Sequence, residues 1–244
     1  MQLSNSSITN RSSFSLNGNQ LKILACIAMF ADHAAKAWLI RGMSYTLLSN
    51  VLGRIAFPIY CFFITEGFFH TRSSRKYILR ILLFGVLSEV QYDLVFRKTV
   101  WFPRNQNVLF ILAFGLLMFV CLSRIESIRS MHIGLSWVLR LLIVAGFATA
   151  AHFLCLDYKE RGILCMAVLY FLRDQRPRSV PVLWACLPLN MKHFSNPGSF
   201  LSALPLHFYN GERGTANLKY FFYWFYPVHL LFILAIQHFV LHIR

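Results

Sequence analysis

Asp32 and His33 stand side by side within an apolar run, and Lys36 follows four residues after the first and three after the second. On a helix those spacings bring all three to one face region. A carboxylate, an imidazole and an ammonium so arranged could orient a general base, or could form no more than an ion pair inside a helix bundle. Arg54 and His229 lie in two other apolar runs. At a helical rise of about 1.5 Å per residue, His33 is about 16 Å beyond Lys22, His229 about 15 Å beyond Lys219 and Arg54 about 12 Å beyond Thr46. These depths predict groups near the middle of a membrane, where a reaction chamber would need an acid/base, an orienting carboxylate and a cationic stabiliser to converge. Read alone, His229 is equally a hydrogen-bonded core histidine.

A second group sits at the edge of the apolar runs. Glu66 and His70 are four apart and are followed by Arg72, Arg75, Lys76 and Arg80, while Lys22 marks the edge of the first run. Such a basic rim suits an anionic, phosphate-bearing donor, and suits anchoring on anionic lipid as well. Glu89 and Asp93, also four apart, could pair with each other or partner Arg97. The remaining histidines, His132, His152, His193, His207, His238 and His242, read as edge residues without catalytic roles. The six cysteines show no CxxC pair and no metal-like spacing with histidine, so they read as small apolar packing residues and no metal is expected.

The elements that must position these groups are hydrophobic helices. Of 244 residues, 57% are hydrophobic and only 14% charged, with a mean hydropathy of +0.54. Soluble domains carry about 25% charged residues, so much of this surface must meet lipid. Predicted spans run from Leu21 to Ile40, Thr46 to Phe69, Tyr77 to Phe96, Asn107 to Cys121, Ile133 to Cys155, Gly162 to Leu172 and Tyr220 to Leu241. Val180 to His193 and Ser199 to Tyr209 read as two half-length helices or one broken one. The fold class is therefore all-α, a polytopic integral membrane helix bundle of about eight or nine transmembrane helices spanning residues 20–244, after a short disordered tail over residues 1–19.

The net charge of +15 raises the question of nucleic acid, but the basic residues fall in short clusters between apolar runs, as membrane-flanking charges do. Membrane lipids, not nucleic acid, are the expected partners. Arg72, Arg75 and Lys76, then Arg124 and Arg129, then Arg173, Arg176 and Arg178 mark cytoplasmic loops and place the N-terminus inside. Nine spans would leave the C-terminus outside, together with the balanced loop of Asp157, Lys159, Glu160 and Arg161; Arg97, Lys98 and Arg104 then run against the rule.

Four blocks carry a family resemblance. They are Leu21-Lys22 through Met29 to Asp32-His33; Gly53-Arg54-Ile55-Ala56-Phe57-Pro58 through Glu66-Gly67 to His70-Thr71-Arg72 and Lys76-Tyr77; Asp157-Tyr158 to Gly162; and Tyr209-Asn210-Gly211-Glu212-Arg213-Gly214, Lys219 and Phe222-Tyr223 through Tyr226-Pro227-Val228-His229-Leu230. In these the chain resembles the TraX family, conjugation-associated proteins of the bacterial inner membrane that acetylate the N-terminus of pilin. The second block is the most specific, since an Arg and a Phe-Pro inside an apolar helix ending in Glu-Gly and His-Thr-Arg are an improbable accident. A fainter similarity reaches the wider membrane acyltransferases, with Lys22 where those carry Arg and Glu66 where they carry Ser.

The resemblance implies acetyl-CoA as cytoplasmic acyl donor and an acyl acceptor such as a pilin N-terminus, with a glycan hydroxyl or another amine left open. In that scheme His33 is the general base, Asp32 orients it, Arg54 stabilises the oxyanion or holds a phosphate, and His229 positions the acceptor or completes a proton relay. Glu66, His70, Arg72, Lys76 and Lys22 would meet the donor. Transfer could be direct or pass through an acyl-histidine. Two other classes fit the same intramembrane charges: a proton-coupled small-molecule transporter and a noncatalytic pilus-assembly membrane protein.

Overall fold

A computed structural model describes residues 14–38, 40–191 and 197–241. Among them are nine α-helices and no strand: α1 (Gly18–Ala37), α2 (Gly42–His70), α3 (Ser74–Arg97), α4 (Val108–Ser127), α5 (Ile133–Phe153), α6 (Lys159–Phe171), α7 (Ser179–Asn190), α8 (Ala203–His207) and α9 (Lys219–Phe239). A 3-10 turn over Pro197–Ser202 leads into α8. The all-α membrane bundle is thus present. Four helices, α2, α4, α5 and α9, are by themselves long and apolar enough to cross a membrane. At 13 and 12 residues, α6 and α7 reach only about 20 Å and 18 Å, against about 30 Å of hydrocarbon.

The expected tail is shorter than residues 1–19, because its last residues build the start of α1. Asn17 accepts from the backbone N–H of Gln20 at 3.0 Å while the Gln20 side chain accepts from Asn17 N–H at 2.9 Å. This reciprocal pair satisfies two donors that a helix start leaves unbonded. Residues 1–13 lie outside the described residues, as do His193 and His242.

α2 sits at the centre against α1, α4, α6, α7 and the 3-10 turn, while α3 packs on α4 and α9. Its apolar face closes the main core with Leu21, Ile111, Phe119, Met166 and Leu206. By contrast α5 buries only Ser136, Val144 and Ala151, leaving Val138, Leu141 and Leu142 exposed, as an outer helix facing lipid tails would. α2 is not uniform: Thr46–Leu52 has π geometry, a local widening that re-aims side chains. The following Gly53 permits α1 to approach closely, since a Cβ there would lie 2.4 Å from Cβ of Asp32. Gly198 does the same for the 3-10 turn, which seats against the carbonyls of Asn50 and Val51.

The bundle has two ends. The proximal end holds the start of α1, where Leu16 pairs with Phe208 and Asn210 and Gly18 N–H donates to Glu212 O at 2.7 Å. The distal end holds the α1 terminus, bonded by Gln237 of α9 to Ala37 O at 2.7 Å. There the loops after α3 and α5 also meet through Gln106 N–H and Cys155 O at 3.2 Å.

Candidate active site

A cavity of about 330 Å³ brings three of the four candidate catalytic residues together. Asp32, His33 and Lys36 enter it from α1, Arg54 and Phe57 from α2, Tyr92 and Phe96 from α3, and Asp157, Tyr158 and Arg161 from the loop and first turn of α6. Asn190 and Ser199 contribute from α7 and the 3-10 turn. His33 lies fifteen residues into a twenty-residue helix, about 22 Å from its start and about 6 Å from its end. The midpoint position inferred from Lys22 is therefore displaced toward the distal end, because α1 begins earlier and ends sooner than hydropathy implies.

His229 supplies what Asp32 does not. Nδ1 of His33 lies 2.8 Å from Nε2 of His229, with the rings stacked at 5.1 Å, and Nδ1 of His229 lies 2.8 Å from the carbonyl of Phe225. A carbonyl only accepts, so His229 Nδ1 carries hydrogen, and neutral His229 presents Nε2 as an acceptor. His33 must then donate from Nδ1, which leaves its Nε2 as the unprotonated, basic nitrogen. The ring of Phe96, edge-on at 5.1 Å, further restricts His33.

Asp32 is occupied elsewhere. Its Oδ2 accepts from Lys36 Nζ at 2.6 Å and its Oδ1 from the fully buried Ser49 at 2.6 Å. Its expected contact with His33 is replaced by this bracing of α1 against the π stretch of α2. The cause is azimuthal: neighbours in sequence leave a helix about 100° apart, so one faces α2 while the other faces α9.

Arg54 has the hydroxyl of Tyr158 and the carboxylates of Asp157 and Asp32 within reach of its guanidinium, and its buried Nε has no hydrogen-bond partner. Tyr158 is stacked on Phe57 with centroids 3.8 Å apart and an interplanar angle of 7°. Asp157 Oδ1 accepts from Tyr158 N–H at 2.9 Å, and burial holds this carboxyl above the usual aspartate range against the opposing pull of Lys36 and Arg54. Arg161 also lines the cavity and carries an unpartnered buried Nε. Sequence reasoning assigned Asp157, Tyr158 and Arg161 no chemical role because the loop has balanced charge; the available signal was a charged pair flanking an aromatic at the mouth of a short apolar helix.

The donor-rim residues do not meet this cavity. Glu66 and His70 line a second cavity of about 220 Å³ together with Arg173 and Arg178. Glu66 accepts from the Tyr209 hydroxyl at 2.8 Å, His70 donates to the Glu66 carbonyl at 2.8 Å, and Lys22 stands 4.6 Å from the ring centroid of Phe63. Arg72 and Lys76 are exposed and line neither cavity. From Arg54 to Glu66 is twelve residues of α2, about 18 Å. Glu89 and Asp93 neither pair nor bond Arg97: Glu89 accepts from Asn107 Nδ2 at 2.5 Å and Asp93 from Phe102 N–H at 2.6 Å, fastening the loop that follows α3.

Residues 17–237 match the family model described as TraX protein. The chain is 30% identical to the probable fimbrial assembly protein FimC, serogroup H1, of Dichelobacter nodosus, over 91% of this chain and 96% of that protein. No solved structure matches.

Proposed function

We propose, for a chain that belongs to the TraX family, a membrane-embedded acyltransferase that moves an acetyl group from acetyl-CoA to an amine such as a pilin N-terminus. The relative's role in fimbrial assembly supports a pilus-related acceptor. The carrying observation is His33, whose Nδ1 is committed to His229, which leaves Nε2 as the basic nitrogen, in a cavity that Arg54 also lines.

In this reading the neutral amine attacks the thioester carbonyl and the new N–C bond forms. His33 Nε2 takes the proton from that nitrogen, and Arg54 offsets the negative oxygen. Collapse breaks the C–S bond, and the proton returns from His33 to the leaving thiolate. An α-amino group of pKa about 7.7 to 8.0 is ionised reversibly near neutrality, so a base with reference pKa about 6.5 is suited to the transfer. His229 stabilises the imidazolium through the existing hydrogen bond. The nucleotide of the donor would rest on the proximal rim of Lys22, Glu66, His70, Arg72 and Lys76, with the thioester reaching about 18 Å along α2. This direction agrees with an N-terminus in the cytoplasm of an inner-membrane protein, the orientation proposed from the Lys/Arg loops.

Purified protein in detergent, given acetyl-CoA and a peptide amine, should consume thioester and acetylate the peptide; His33→Ala should slow both by about 10²- to 10⁴-fold. Equal thioester consumption by the variant would remove the assignment, and no consumption by a folded wild type would favour transport or scaffolding. Rapid-quench labelling with radiolabelled donor separates direct transfer from an acyl-histidine.

A further inference from the structure

We infer that Arg54 and Arg161 together form an anion subsite in the distal cavity, shaped to take the oxygen or oxygens of an acyl group: a small carboxylate at rest and the tetrahedral oxyanion in turnover. Its role in turnover rests on the acyl-transfer reading, whereas its affinity for a carboxylate can be measured without any reaction.

Two guanidiniums from separate helices line the same cavity, and in each the Nε–H is buried without a partner. Buried donors are normally satisfied, and two unsatisfied ones on side chains that line one cavity ask for an acceptor. The other charges of the cavity are already committed. Lys36 is neutralised by Asp32 at 2.6 Å, and the second oxygen of Asp32 is held by Ser49. Only Asp157 remains to offset two guanidiniums, and burial opposes its ionisation. At least one positive charge is thus unmatched among the described residues of the cavity.

The backbone also explains how Arg161 comes to line the cavity that Arg54 enters. Tyr158 adopts a left-handed conformation at φ 58°, which turns the chain sharply into α6. Gly162, next to Arg161, lets that first turn close on α4 and α2: a Cβ there would lie 3.1 Å from Ile111 of α4 and 3.3 Å from the Phe57 ring of α2. The stacked Phe57 and Tyr158 rings provide a flat apolar wall beside the charges. An acetyl group has the complementary form, one methyl and one oxygen-bearing carbon. Arg161 supplies the second donor that a single arginine lacks, and planar guanidiniums suit the two oxygens of a carboxylate.

The test uses the whole purified chain and two probes of nearly equal size, acetate and acetamide, read by thermal shift and by saturation-transfer NMR. Acetate should stabilise the protein and acetamide should not. Arg161→Gln and Arg54→Gln should each weaken acetate at least tenfold, while Arg161→Lys, which keeps the charge without the planar fork, should recover part of the loss. In turnover Arg161→Gln should lower kcat by about 100-fold with little change in donor KM. Equal stabilisation by acetamide, or wild-type acetate affinity in Arg161→Gln, overturns the subsite. Acetate binding that depends on Arg161 in a protein that consumes no thioester upholds the subsite and refutes the acyl-transfer reading instead.

Discussion

The two cavities share α2 as a wall yet are built on opposite principles. At the distal cavity the ionisable groups hold one another: Asp32 with Lys36 and Ser49, His33 with His229, Asp157 with the Tyr158 backbone. At the proximal cavity Arg173 lies over Phe69 at 4.8 Å and reaches Glu126 at 3.4 Å, and Arg178 lies over Phe62 at 6.0 Å, while beyond that cavity Arg72 and Lys76 stand in the open. Reciprocal bonds in a half-dry space fix directions and protonation states, as bond chemistry requires. Loose, solvated cations attract charge from a distance and are screened by salt. The first arrangement suits reaction, the second capture.

The strongest break in that contrast would be a His33→Ala variant that retained turnover; the expected loss is about 10²- to 10⁴-fold, the span of general-base effects. His229 sharpens it next. His229→Leu leaves His33 Nδ1 without its acceptor and should cost about 100-fold, whereas His229→Gln can donate to Phe225 O and accept from His33, and should stay within about tenfold of wild type, measured as kcat at constant donor. If Gln and Leu were equally damaging, His229 would not be setting the tautomer of His33.

Close packing comes third. Gly53→Ala places a methyl on Asp32 and should destabilise the protein by about 1–3 kcal/mol, while Gly146→Ala, with open space around it, should be nearly neutral in thermal unfolding. The proximal end should respond more weakly: paired Arg72→Gln and Lys76→Gln changes should raise donor KM a few-fold in dilute buffer and lose that effect in high salt, because exposed charges act through about a Debye length of 10 Å at 0.1 M. A salt-independent rise in KM would place those residues in direct contact instead.

The smallest effect tests Asp157. Its folded pKa is raised by burial above the roughly 3.9 of an unfolded aspartate, so the folded state holds the proton more tightly. The stabilisation is full below about pH 4 and is lost as pH rises through the folded value. Asp157→Asn, which cannot ionise, should therefore gain thermal stability relative to wild type as pH rises above that point, and show no gain below it. A stability gap constant across pH would show that Asp157 does not titrate in this range.

Much of the bundle was legible because hydrophobic runs and intramembrane charges are both costly signals. The starts and ends of α2, α3 and α9 fall within a few residues of the hydropathy limits, and Asp32, His33 and Arg54 do share a cavity. Other features were not legible. Thr46–Leu52 is π-helical where α1 presses on α2 at Gly53, a contact between helices that local propensity does not encode. Closeness in sequence makes the donor rim one group, but Arg72 and Lys76 are exposed while Glu66 and His70 share a cavity with Arg173 and Arg178, far onward in the chain.

By itself the sequence determined that this chain is a membrane helix bundle with carboxylate, imidazole and guanidinium groups carried into apolar helices, because each such group is expensive there and seldom retained without use. Only the tertiary structure decided who partners whom. Spacing along a helix reports depth, but a hydrogen bond also needs the facing direction and the neighbouring helix, and these gave His33 to His229, Asp32 to Lys36 and Ser49, and Arg161 a place in the cavity that Arg54 lines.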